Sequence, residues 1–142
     1  MSALSDIYEN KILDHILNNT ALAQGTVYVA LFTDSDSTGN TLENLEQNIL
    51  TNEVSGNGYS RQSASFGAAS GGSASNSGNL TWTASGGAFG TITAVALINA
   101  SGSTDSAGEG EIIAYSSLAS SKDIQDGDSF QISTGNLTLT LA

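Results

Sequence analysis

Apolar residues recur along this chain with two different periods. Near the N-terminus Leu4, Ile7, Tyr8, Ile12, Leu13, Ile16 and Leu17 recur at three- and four-residue steps alternating with adjacent pairs, the spacing that places side chains on a helix surface. Ser2 or Ser5 can cap the first turn, Asp6 and Glu9 lie where the helix dipole favours anions, and Asn18-Asn19-Thr20 supplies a stop. The pattern predicts a helix running to about Leu17. Its seven apolar residues spread over more than half of the helical wheel, which predicts burial on two sides. They are therefore the candidate interface: both sides meet the chain's own core, or one side packs on a neighbouring subunit.

Beyond the helix the period shortens to two. Residues 26–33 read TVYVALFT, with Val27, Val29 and Leu31 on one face and Tyr28, Ala30 and Phe32 on the other, as expected of a central strand covered on both sides. A polar excursion over 34–58 follows. Within it Leu42, Leu45 and Ile49 return to helical spacing behind the possible caps Asn40 and Thr41, which predicts a short surface helix. Further strands are expected at 60–66, 79–83, 90–99, 111–116, 129–132 and 136–141, separated by Gly, Asn and Ser clusters. The last alternates cleanly, Leu137, Leu139 and Leu141 inward against Thr138 and Thr140 outward. Seven short strands with turn signals between them predict a mainly β, single-domain antiparallel β-sandwich preceded by one α-helix. No proline is present, so one common protection of sheet edges is missing and a second chain could take its place.

Composition narrows the function more than the fold. The 142 residues suffice for one domain with its own core, and the whole chain, 1–142, is read as that domain. Without cysteine, neither a disulfide framework nor a thiolate metal site can form. No apolar run approaches a membrane span and no leader pattern opens the chain, so membrane insertion and secretion by a leader are not expected. Fourteen acids against three bases give a net charge of −11, which repels phosphate backbones and argues against a nucleic-acid partner. All the acids lie before Val54 or after Thr104, and Arg61 is the sole charge between them. That central stretch, rich in Ser, Gly, Ala, Thr and Asn, reads as short strands with small-residue turns because Phe66, Leu80, Trp82, Phe89, Ile92 and Val95 punctuate it. The competing reading is a flexible linker over 67–78.

Catalytic constellations are not evident. The lone histidine, His15, sits inside the first helix, and the many serines lack a G-x-S-x-G elbow. Asp34-Ser35-Asp36-Ser37-Thr38-Gly39 resembles the opening of an EF-hand loop, but its twelfth position is Leu45 where a bidentate Glu is required. Asp123, Asp126 and Asp128 around Gly127 read as a turn between strands. Gly56-Asn57-Gly58 and Gly71-Gly72 read likewise as turns. No enzyme activity, cofactor or metal is therefore expected. Trp82, Tyr59 and Tyr115 could stack on sugar rings, which leaves a carbohydrate- or calcium-binding sandwich module as an alternative.

The segments SDIYENKILDHIL, TVYVALFT, EVSGNGYSRQSASFGAASGGSASNSGNLTW, FGTITAVALINA and GEIIAYSSLASSKDIQDGDSFQISTGNLTLTL occur in this order. The chain resembles, over nearly its whole length, a family of small virion proteins of tailed bacteriophages, often labelled tail fibre or virion structural proteins. E-V-S-G-x-G-Y-x-R-Q followed by S-F-G-A-A-S carries most of the likeness. Residues 34–52 look longer than in the family, Phe89 stands where Trp is common, and the loop 101–110 is enlarged and acidic. The resemblance implies a non-enzymatic protein on the phage particle surface, made in the host bacterial cytoplasm. Its expected partners are other virion proteins, the major capsid protein or tail proteins, and it is expected to form a homo-oligomer. The small size and lack of a repetitive shaft favour a decoration or cement protein on the capsid exterior. The alternative is a tail fibre, baseplate or adaptor piece contributing to host attachment. Within the motif Arg61 is the candidate for a buried ion pair, inside the monomer or between subunits.

Overall fold

The strand expected to be covered on both faces is the key to the architecture. In the computed structural model, which describes residues 2–22, 25–34, 38–102 and 110–141, the segment Val27–Phe32 forms a strand inside a five-stranded sheet. In chain order the elements are β1 (Ser2–Leu4), α1 (Asp6–Leu17), β2 (Val27–Phe32), α2 (Thr41–Glu46), β3 (Gln62–Ala64), β4 (Ser73–Ser75), β5 (Leu80–Thr83), β6 (Gly90–Ile98), β7 (Ile112–Ile124), β8 (Ser129–Ile132) and β9 (Thr138–Thr140). The main sheet has the order β1-β7-β6-β2-β3, and all its pairings are antiparallel. Two antiparallel pairs, β5 with β8 and β4 with β9, form the second layer.

Alternation along β2 divides the core in two. Val29 and Leu31 join Trp82, Leu80, Phe130 and Ile132 between the layers, while Ala30 and Phe32 pack with Leu45 of α2, Leu50 and Ile98 on the opposite face. In β6 the alternation breaks once. Ile92 faces the same core as Val95 and Leu97, whereas Ala94, Ala96 and Ile98 face the other. The register shifts between Ile92 and Ala94, and such an irregularity inverts every side chain beyond it. A second shift between Leu97 and Ile98 likewise puts Ile112 on the helix side and Ala114 between the layers.

The expected mainly β antiparallel sandwich with a leading helix is present, with nine strands among the described residues where seven were expected. Two differences lie in segments with no apolar alternation to read. β1 is three residues long, and Ser2 belongs to it, leaving Ser5 as the helix cap. β4 reads Ser-Ala-Ser, and it replaces the flexible linker considered for 67–78 with a strand paired to β9. Hydroxyl pairs stitch that contact, Ser73 to Thr140 at 2.7 Å and Ser75 to Thr138 at 2.9 Å. β7 also continues well past residue 116, through a Ser-rich stretch that pairs again with β6 at Lys122, Asp123 and Ile124. Leu137, just before β9, and Leu139 within it are half-buried as expected, but Leu141 is exposed because the strand ends at Thr140.

Candidate functional site

Three features place chemistry-bearing or sticky groups: the helix α1, the loop that carries Arg61, and a groove between the layers. Ser5 fixes the start of α1. Its hydroxyl donates to the carbonyl of Ile112 and accepts from the Tyr8 amide, while its own amide donates to the Ile113 carbonyl at 3.1 Å. Tyr8 is buried, Leu4, Ile7 and Ile12 are half-buried, and Lys11 pairs with Glu111 while lying 5.1 Å above the Tyr8 ring. The last turns are uncovered: Leu13 is 53 %, Ile16 68 % and Leu17 75 % exposed. The seven candidate interface residues thus divide, the first four buried or half-buried and the C-terminal three largely exposed among the described residues. His15 is exposed, with Nδ1 2.9 Å from the Thr20 carbonyl, where it holds the turn that leaves the helix.

Within the distinctive motif of residues 53–61, the side chains of Glu53, Tyr59 and Arg61 form one buried polar unit. Gly56, Asn57 and Gly58 take φ values of 70°, 54° and 81°, a left-handed run that glycine permits and asparagine tolerates. This turn brings Tyr59 and Arg61 back onto Glu53. Arg61 Nε donates to Glu53 Oε1 and Nη2 to Oε2, both at 2.7 Å, and Nη1 donates to the Ala100 carbonyl at 3.0 Å. The Tyr59 hydroxyl donates to Glu53 Oε1 at 2.9 Å and accepts from the Leu31 amide at 3.0 Å. Side-chain exposure of the ion pair is 1 % for Arg61 and 6 % for Glu53. Burial, reinforced by the Glu53 charge, pushes the Tyr59 phenol far above its ordinary range. Arg61 therefore pairs within the monomer. Its partner Glu53 was not singled out from the sequence, although its place eight residues before Arg61 in the same motif is a signal of the pairing.

Tyr59 and Trp82 are 3 % and 2 % exposed, and the indole donates to the Ser60 carbonyl at 2.9 Å. Neither offers a ring face to a sugar. Tyr115 is half-buried, and burial followed by the charges of Glu46, Asp6 and Glu9 raises its phenol. Asp34 accepts from the Gly39 amide at 3.1 Å and approaches the Thr41 hydroxyl at 3.1 Å, a turn-closing role. Residues 35–37 of the EF-hand-like stretch, and 103–109 of the acidic loop, lie outside the described residues. Asp126 accepts from the Gly86 amide and Asp128 from the Gln125 amide, so both brace the β7 to β8 turn. Among the described residues no three His, Cys, Asp or Glu side chains gather as a metal site, and no helix is long and apolar enough to cross a membrane.

The third feature is a groove of about 790 Å³ bordered by β7, β8 and the segment leading into β9. Its floor is apolar, with Val95, Leu97, Leu118, Ile132, Leu137 and Leu139 among its lining residues, and among the described residues Lys122 is the only charged one on its wall.

Comparison with curated proteins returns no match. A family model described as podophage GP4 fiber I protein gp80 matches residues 3–140. That match spans both layers and the leading helix, and it includes the whole Glu53 to Arg61 unit. This chain therefore belongs to the podophage fiber I protein family, a family of bacteriophage virion proteins.

Proposed function

We propose that the protein is a fibre component of the phage tail that works by shape and contact, catalyses no reaction, and contributes to attachment to the host. The fibre family match over residues 3–140 carries this reading. It favours the tail over the capsid exterior that small size alone suggested. The uncovered end of α1, with Leu13, Ile16 and Leu17 exposed, supports a role in which other virion proteins or further copies of this chain hold it.

Quantifying the protein against the major coat protein in purified particles tests the placement. Tens of copies are expected, and hundreds would return the protein to the capsid exterior. An Ile16→Asp, Leu17→Asp variant should fold normally and yet be depleted from assembled particles, because both side chains face water in the isolated chain. Normal incorporation would remove α1 from the contact.

A further inference from the structure

The second layer of the sandwich is divided. β8 is paired only with β5 and β9 only with β4, so among the described residues no strand is hydrogen-bonded along the other edge of either, although β7 passes near β8 and β1 near β9. The groove lies at this division, over the core-facing residues of β6 and β7. β7 opens the same space further. Its register with β6 passes from Ser117, opposite Ala94, to Lys122, opposite Ile92, so four residues, Leu118 to Ser121, lie against the single residue Thr93. Unpaired strand edges beside an apolar floor are the two ingredients of strand addition, in which main-chain hydrogen bonds hold an extended segment and alternate side chains fill the floor.

Charge specifies the occupant further. Of the three basic side chains, Lys11 pairs with Glu111 and Arg61 with Glu53. Among the described residues Lys122 makes no ion pair, and it stands on the wall of a groove that no carboxylate lines, in a chain of net charge −11. A carboxylate on the incoming segment would meet the unpaired ammonium and no opposing acid. A second copy of this chain is a poor donor. Each of its described strands is already paired, and supplying one would dissolve a native contact.

Resting on the reading of this protein as a virion component held by protein contacts, we propose that the groove between β7, β8 and β9 accepts an extended segment of a different virion chain. That segment has apolar residues at every second position and a carboxylate placed to meet Lys122. The probes are short synthetic peptides of alternating leucine and threonine, one ending in glutamate, one in lysine, and one with the same composition but the leucines grouped together. Binding to the full chain is read by fluorescence anisotropy, and amide exchange is followed at Leu118, Ala119 and Gln131.

The glutamate peptide should bind and slow those amides. The lysine and grouped peptides should bind about tenfold or more weakly. A Lys122→Glu variant, whose altered side chain is exposed and should leave the fold intact, should reverse the preference between glutamate and lysine. Equal binding of all three peptides, or an unchanged preference in Lys122→Glu, would overturn the proposal. So would decanoate binding in the groove with no peptide bound, which would make it a site for a fatty acyl chain. Self-association that the glutamate peptide blocks would assign the groove to a second copy and overturn it equally. None of these outcomes alters the copy number that tests tail placement, so the two readings fail separately.

Discussion

Replacing Glu53 by Gln isolates the energetics of the motif. The substitution keeps the side chain's shape but removes its charge and turns one acceptor oxygen into an amide NH2 donor facing a guanidinium or the Tyr59 hydroxyl. Arg61 Nε and Nη2 and the Tyr59 hydroxyl all donate to this carboxylate, and the ion pair's side chains are 1 % and 6 % exposed. The surviving Arg61 charge would then be buried without its counter-ion, a situation that costs about 3–5 kcal/mol. For a chain of this size that corresponds to a fall in melting temperature of roughly 10–15 °C. Replacing both partners by apolar residues, Glu53→Leu with Arg61→Met, leaves no orphaned charge. It should cost much less than the sum of the two single changes, because a buried pair and its apolar substitute are often close in stability. Urea unfolding of the wild type, Glu53→Leu, Arg61→Met and the double variant as a double-mutant cycle, with Glu53→Gln measured alongside, tests both expectations. A loss below about 1 kcal/mol for Glu53→Gln, the range of exposed pairs, would refute the burial argument. A double variant as unstable as the sum of the singles would refute the coupling.

Three further outcomes follow from single residues. The Tyr59 phenol is raised when folded, so the folded state holds its proton more tightly. Stability from this group is then fully present below the ordinary phenol value of about 10 and declines above it, by up to about 1.4 kcal/mol per pH unit; Tyr59→Phe should flatten that alkaline fall in urea titrations. Gly72 has φ +80° and an added Cβ would lie 2.7 Å from the Leu141 carbonyl oxygen, so Gly72→Ala should cost more than the roughly 1–2 kcal/mol of the left-handed backbone alone and speed amide exchange in β4 and β9. Ser5→Ala removes the α1 cap and leaves the buried Ile112 carbonyl without its hydroxyl donor, which should cost about 1–3 kcal/mol by thermal unfolding.

What could be read from the chain alone were features set by local chemistry. The 3.6-residue spacing before Leu17, the two-sided apolar run of β2 and the glycines of the 56–58 turn each declare their element, because side-chain period and backbone freedom are properties of neighbouring residues. Glu53 and Arg61 share one motif, and their ion pair is nearly a local event. By contrast β4, which reads Ser-Ala-Ser, and the Ser-rich far half of β7 owe their strand state to hydrogen bonds with distant partners, which leave no apolar period behind. The inversion of facing at Thr93 depends on the register of β6 against β7, which no spacing within either strand reveals. Helix α1 shows both limits at once. Its seven apolar positions were evident from their period, but only the packing of the fold decided that Tyr8 is enclosed while Leu13, Ile16 and Leu17 remain in water. The core beneath α1 extends only as far along the helix as β7 and the Ser5 anchor carry it.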